Sequence, residues 1–451
     1  MSSSLFGMVN QAMTGLTAAQ YQLSVVQQNV DNADTAGYTR QVVTQASVDG
    51  TYGTHNIQTG PGSLGGVTVV STDREDDPVI DARQRAAHAN SAAADTTATT
   101  LSGVENVFPE PTDQGFGAQL STFWSDWSAV STSPAANSGA REVLLTDANS
   151  LVDSLHTMAG QLNDMVTATT SSLNADINTV NTSATQLAQL NGQIAVASAT
   201  GVNANSLLDQ RDQLLDSISK ATGATVTLAA NGTATVAIGG QTLVSGTTAS
   251  SMTVDSSNQI SVGGTAVSVS SGSISSEVTS LSSTIPSYQS QLDAVANALS
   301  DAVNSVQAAG FDINGNAGAA MFSGSGAAGI TVSMTDPNQI AASSTGANLD
   351  GGNALTASKL GTSASGPDQV YIALVGTVAT ASANAQQQQT VQDTVSSNLD
   401  TLKSSVSGVN YDEEVSNMLL YQHAFQASSR VLTTIDSMLD TLINHTGLVG
   451  S

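Results

Sequence analysis

The residues that could do chemistry are few and scattered. Asp312-Ile313-Asn314-Gly315-Asn316 sets oxygen-bearing side chains around a glycine, like the opening of a calcium loop. Such a loop then requires Gly at its sixth position and Glu at its twelfth. Those positions hold Ala317 and Ser323, so an Asx/Gly turn is expected. The histidines, His55, His88, His156, His423 and His445, follow no metal-ligand spacing. His88 and His156 fall in helical pattern with no His or Cys four residues on, and packed or solvated imidazoles are expected. Gly60-Pro61-Gly62-Ser63-Leu64-Gly65-Gly66 lacks the lysine of a phosphate loop and reads as a flexible connection. No nucleophile elbow or dinucleotide fingerprint occurs. Asp412-Glu413-Glu414 could supply paired carboxylates for acid–base work. Acids in a helix's first turn already have a sufficient reason: they meet the positive end of the dipole, worth about 0.3–1 kcal/mol at an exposed site. No catalytic, cofactor-binding or metal site is expected, and the chain does not read as an enzyme.

What the fold must position is therefore a surface. Leu5, Val9, Ala12, Leu16, Ala19, Leu23, Val26 and Val30 alternate spacings of four and three. Met418, Tyr421, Phe425, Ser428, Leu432, Ile435, Leu439 and Leu442 do the same at the other end, with Ser428 as the one interruption. Both are a/d heptad seams. A lone seam leaves its apolar stripe in water, so the ends of the chain pair with each other or with copies of the chain. An ordinary core helix at each end is the alternative, because periodicity establishes a helix and not its partner.

Composition narrows the classes. The chain of 451 residues is long enough for two to four domains. It carries 36 acidic and 10 basic residues, a formal charge of -26, which repels phosphate backbones and anionic lipid. Nucleic acid and membrane insertion are not expected partners. Charged residues are only 10 %, so the polar surface comes from Ser, Thr, Asn and Gln and suits hydrogen-bonded subunit packing. There is no cysteine, which removes disulfide frameworks and thiolate metal sites. The first residues show no basic stretch ahead of an apolar core, so no standard secretory signal is expected. No apolar run has bilayer-spanning length.

Along the chain, the first helix stops at Asn29–Gly37, and Tyr38 to Val48 reads as extended. A short strand, Val67 to Ser71, follows a glycine-rich loop. Helices are expected from Asp76 to Val107, with Pro78 in the first turn, and from Phe116 to Val130, where Phe123, Trp124 and Trp127 form a core anchor. Residues Ala140 to Ala199 hold a helical pattern almost without breakers, about 90 Å of helix. Asn205 is expected to cap the next helix, which Gly223 ends. Residues 224 to 269 then switch to period two, with Asn231-Gly232, Gly239-Gly240 and Gly263-Gly264 at turns. Helix returns from Ile274 to Ala309, with Pro286 as a possible kink. After a Gly/Ala/Ser-rich stretch it returns again from Val370 to Val406 and beyond Gly408. The expected fold is mainly α with an inserted small antiparallel β domain: elongated, multi-domain, with the N- and C-terminal helices paired as a coiled coil. The divisions are 1–48 with 407–451 (terminal helical domain), 49–223 with 273–406 (long-helix domain), and 224–272 (β insertion).

Stretches at both ends and in the middle carry a resemblance. Asn29-Val30-x-Asn32-x-x-Thr35-x-Gly37-Tyr38-Thr39-Arg40 resembles the segment after the first helix in axial proteins of the bacterial flagellum. Gly408-Val409-Asn410-Tyr411-Asp412-Glu413-Glu414 and Tyr421 to Ala427 are similar to their C-terminal end. Leu207-Leu208-Asp209-Gln210-Arg211-Asp212-Gln213-Leu214 and Gly310-Phe311-Asp312 resemble the first hook-associated protein family, found at the hook–filament junction. The resemblance implies a structural subunit of the flagellum that leaves the cell by the flagellar export apparatus. It implies self-assembly into an axial ring. Its partners would be the hook protein, the next hook-associated protein and a cytoplasmic export chaperone on the C-terminal helix. The implied interface comprises Leu5, Val9, Leu16, Leu23, Val26, Val30, Asn29, Asn32, Gly37 and Tyr38 with Met418, Tyr421, Phe425, Leu432, Ile435, Leu439 and Leu442. Another axial protein, the hook or third hook-associated protein, is the nearest alternative; an enzyme on an axial scaffold, such as a cell-wall hydrolase, is the distant one.

Overall fold

A computed structural model describes residues 5–48, 65–134, 138–346 and 350–445. Helix α1 (Leu5–Asp31) leads into the antiparallel hairpin of β1 (Gln41–Val48) and β2 (Gly66–Arg74). The connection expected at residues 49–64 lies outside the described residues. Helix α2 (Pro78–Val107) starts where proline costs nothing, and Asp77 caps it by accepting from the Val79 and Ile80 amides. Then come α3 (Phe116–Thr132), the 63-residue α4 (Ser138–Thr200) and α5 (Asn205–Thr222). At 1.5 Å per residue α4 runs about 95 Å, and the molecule is elongated along it.

Seven short strands follow. β3 (Thr225–Leu228), β4 (Ala234–Ile238), β5 (Gln241–Ser245) and β6 (Thr248–Ala249) form one antiparallel sheet. β7 (Met252–Val254), β8 (Ile260–Val262) and β9 (Thr265–Ala266) form another. Helix α6 (Ser273–Thr279) passes through a π turn, Ser280–Thr284, into α7 (Ile285–Ala309). The π turn lies just before Pro286, where the ring removes a donor and crowds the preceding turn. Strands β10 (Phe322–Ser323) and β11 (Thr331–Val332), helix α8 (Gly352–Ser358), the 41-residue α9 (Pro367–Ser407) and α10 (Tyr411–Asp440) complete the chain, with a π turn at Thr441–His445.

Two hydrophobic cores sit at different heights on α4. The first joins its N-terminal half to α3, α7, α8 and α9 around Phe123, Trp127, Phe322, Leu144 and Leu292. Phe123 packs edge-on to Trp127 at 6.3 Å, and the Trp124 indole donates to Asp368 at 2.8 Å, so the aromatic trio is the expected core anchor. The second core joins the distal half of α4 to α5, α6 and the β strands around Leu187, Leu215, Val236 and Ile260. The strands thus share their apolar interior with helices.

One local expectation fails and another holds. Asn205 is the first residue of α5, not its cap; Ala204 holds that place. Its side chain is used elsewhere, as described below. Asp312 does make the Asx turn, accepting from the Asn314 and Asn316 amides at 2.8 Å while Gly315 takes φ +80°. Burial would raise its carboxyl pKa, but the donors from Asn316 and Asn314 outweigh it and hold the pKa below the usual range.

Candidate assembly site at the joint of the terminal helices

Helix α1 lies along α10. Asn29 contacts Glu414, and a Cβ on Gly15 would stand 3.3 Å from Ser428 Oγ. Moving back along α1 thus moves forward along α10 by the same step, so the pair is antiparallel. The interruption at Ser428 faces a glycine, where the two backbones approach.

The seams supply the contact surface. On α1, Ala12, Ala19 and Val26 are buried, and Val9, Leu16, Leu23 and Val30 are half-buried. On α10, Ile435 is buried; Met418, Tyr421, Phe425, Leu432 and Leu439 are half-buried, and Leu442 is half-exposed in the terminal π turn. The Leu5 side chain lies outside the described residues. A second apolar stripe was not read from the sequence. Leu420, Val431 and Met438 share one face of α10, roughly 100° round from the seam at 100° per residue. They are 61 %, 49 % and 50 % exposed.

At the base of the pair three of the motif stretches meet: those around Asn29, Glu414 and Asp212. Asn29, 1 % exposed, donates through Nδ2 to the Gln41 carbonyl (2.9 Å) and to Glu414 Oε2 (3.1 Å). Its Oδ1 accepts from the Tyr38 hydroxyl (2.8 Å) and the Gln41 amide (3.0 Å). All its side-chain hydrogen-bonding groups are engaged: the carboxamide gives two N–H donors and an oxygen that takes two bonds, which the isosteric Asp carboxylate, lacking the donors, does not. Arg40 bonds Glu414 Oε1 at 2.8 Å, Glu413 at 2.9 Å and Glu75 at 3.2 Å. Its backbone amide donates to the Ser407 carbonyl at the end of α9.

A second tier ties this base to α5. Arg74 pairs with Asp209 (2.9 Å) and Asp212 (2.6 Å) and donates to Thr39 Oγ1. Asn205 donates to Gln41 Oε1 and the Thr72 carbonyl. Arg211 pairs with Asp212 and donates to the Gly232 carbonyl, which links the β region to the same tier. Gly37 sits at φ +77°, and a Cβ there would fall 2.1 Å from Gln213 Nε2, which donates to the Ala36 carbonyl. Asn32 acts locally: it donates to the Gln28 carbonyl and accepts from Thr35 Oγ1, closing the end of α1.

The ionisation states suit a fixed clasp. Burial, then the Asp209 and Glu414 charges, push the Tyr38 phenol up to about 12, so it stays a donor. Burial raises Asp209 despite Arg74. For Arg40 and Arg74 the carboxylates outweigh the burial that would lower them. The arrangement locks backbones together. Among the described residues no group of three or more His, Asp or Glu converges on a metal position. No described helix is long and apolar enough to cross a membrane.

Several of these partners were not read from the sequence. The helix dipole is a sufficient local reason for Glu414, yet the residue is 1 % exposed and closes the joint. A signal existed: Glu414 stands four residues before Met418, so it occupies the next seam position back, where a charge must be paired. His88, expected to be packed or solvated, instead bridges Asp216 (2.6 Å) and Asp400 (2.8 Å).

Residues 101–322 match the family model for the flagellar hook-associated protein FlgK helical domain, and residues 403–445 match that for the flagellar basal body rod FlgEFG protein C-terminal region. The chain is 28 % identical to flagellar hook-associated protein 1 of Bacillus subtilis, over 100 % of both chains. It is 26 % identical to the Escherichia coli protein of that name, over 97 % of this chain and 99 % of the other. To the Salmonella typhimurium one it is 34 % identical, over 54 % of this chain and 43 % of the other. The solved structure of the flagellar hook junction protein FlgK from Burkholderia pseudomallei shares the fold, with TM-score 0.65 at 16 % identity, covering 72 % of this chain and 100 % of that one. With both terminal motifs meeting the α5 motif in one joint, the chain belongs to the flagellar hook-associated protein 1 family, structural proteins of the bacterial flagellum.

Proposed function

We propose that the chain is the subunit that joins hook to filament, and that it assembles through its terminal helices after export. The observation that carries this is the exposed stripe on α10. Leu420, Val431 and Met438 face solvent on a helix whose other apolar face already lies against α1. An apolar stripe of this length on an exposed helix marks an interaction surface. Copies arranged around an axis would cover it.

In this reading residues 1–48 and 407–451 form the inner unit, and the seam and joint residues hold it in shape. Residues 49–223 with 273–406 surround it, and residues 224–272 face outward. The hook protein lies below and the next hook-associated protein above. Before export, a cytoplasmic chaperone covers the C-terminal helix, whose stripe would otherwise cost solubility. The reading includes secretion of the chain and its place at the hook–filament junction.

The test is complementation. Cells lacking their own copy receive the chain with Leu420→Ser, Val431→Ser and Met438→Ser together. The expected outcome is secreted subunit and hooks without attached filaments. Filaments of normal length and number would overturn the proposal.

A further inference from the structure

We infer that the cavity beside the joint is a binding site for a carboxylate, with Arg85 as the cation that anchors it. The cavity, about 590 Å³, lies between α2, α5, α9 and the loop around Gly37. The chain has only ten lysines and arginines, yet Arg74, Arg85 and Lys403 line this one space, with His88 beside them.

Three of those cations are answered. Arg74 is held by Asp209 and Asp212, Lys403 by Asp81 at 3.0 Å, and His88 by Asp216 and Asp400. Arg85 is not. It is 8 % exposed, lines the cavity, and makes no hydrogen bond or ion pair with any described residue. Its stem is buried while its guanidinium nitrogens still meet solvent in the cavity, so the charge faces that space with no protein anion to answer it. Its planar fork of donors matches a carboxylate in two parallel bonds.

The wall also selects the ligand. Asp209, Asp212, Asp216 and Asp400 all border the cavity. Each already faces a cation, but together they repel a multiply charged anion such as a phosphate ester. A single carboxylate fits. Asp216 and Asp400 are 39 % and 49 % exposed, so the cavity opens to solvent on their side. The carboxylate can arrive as a free small anion or on a side chain of a second copy of this acidic chain. The second route rests on the assembly role proposed above; the first does not.

The test uses the full chain and sodium acetate as probe. Thermal unfolding is compared in acetate and in chloride at equal ionic strength and pH 7. The wild type is expected to unfold about 2 °C higher in acetate. Arg85→Gln should lose that difference and, having no partner to abandon, should unfold no lower than wild type in chloride. Arg83→Gln, exposed on the same helix, should keep the difference. Should Arg85→Gln fail to fold, Arg85→Lys, which keeps the charge but not the fork, is expected to show a reduced acetate effect. Self-assembly followed by sedimentation separates the sources. A carboxylate from a second copy predicts several-fold slower assembly of Arg85→Gln and inhibition of wild type by acetate; a free anion leaves both unchanged. Equal unfolding midpoints in acetate and chloride for the wild type, with Arg85→Gln assembling normally, would overturn the site.

Discussion

Helices α7 and α10 are of similar length and both carry an apolar seam, yet they are finished differently. Ile285, Leu292, Val295, Ala296, Leu299 and Val303 of α7 are completely covered. On α10 only Glu414 and Ile435 are buried, and one of those is an acid. The body helix is closed by its own chain on every apolar side. The terminal helix is closed on one side by α1, fixed at its base by charges, and left open along a second stripe. Periodicity alone does not separate the two cases; what surrounds the stripe does. A body stabilised by burial covers its own apolar surface, whereas the terminal pair, anchored at one end by polar contacts, leaves an apolar stripe exposed, the surface proposed above to meet other copies.

The comparison can be pressed hardest in the body. Trp127→Ala removes a fully buried indole from the first core and should cost about 3–5 kcal/mol of unfolding free energy, read by denaturant titration. At the joint, Glu414→Gln weakens the hold on Arg40 and Asn29. We expect a loss of about 2 kcal/mol, smaller than full disruption because Glu75 and Glu413 still face Arg40. Amide exchange should place that loss in α1 and α10 while α7 stays protected. Equal loosening of α7 would erase the distinction.

Gly37→Ala is expected to cost about 1–2 kcal/mol, since the new Cβ meets Gln213 in a left-handed backbone. The effect should again be local, seen as faster exchange in α1 with little change in body unfolding.

A buried acid sharpens the view of the body. Burial, with a smaller contribution from Asp176, pushes the Glu277 carboxyl up to about 7. The folded chain therefore holds a proton that the unfolded chain releases near its ordinary 4.5. Stability from this group falls as pH rises through the window from 4.5 to 7, and the penalty is complete above it. Glu277→Gln should stabilise at pH 8 relative to pH 5 by about 1–2 kcal/mol after screening is allowed for. Identical pH profiles for the two proteins would contradict the assignment.

The smallest effect on the monomer is the most informative. Leu420→Ser with Val431→Ser should leave monomer unfolding within about 0.5 kcal/mol, because both side chains are already half-exposed or more. Self-assembly measured by sedimentation should fail.

Much of this was legible in the residues. Helix α4 follows from an apolar spacing with almost no breaker, and Gly223 ends α5 with φ +62°, as a left-handed cap requires. Long-range pairing was harder. Asn205 carried the local signature of a cap, but Gln41 and Thr72, both distant in sequence, claim its side chain. Glu414 satisfied a local dipole argument that concealed its partner Arg40. The second α10 stripe was masked because Leu420, Val431 and Met438 are spaced more widely than a heptad seam. Arg85 gave no signal at all: its distinction is the lack of a partner, which only three-dimensional packing reveals.

The central claim is that the terminal helix pair is incomplete in a single copy. Hydrogen exchange of residues 411–440, measured in dilute monomer and in assembled material, tests it directly. We predict exchange in the monomer much faster than for residues 285–309, and protection approaching that of the body after assembly. Equal, full protection of both segments in the dilute monomer would contradict it.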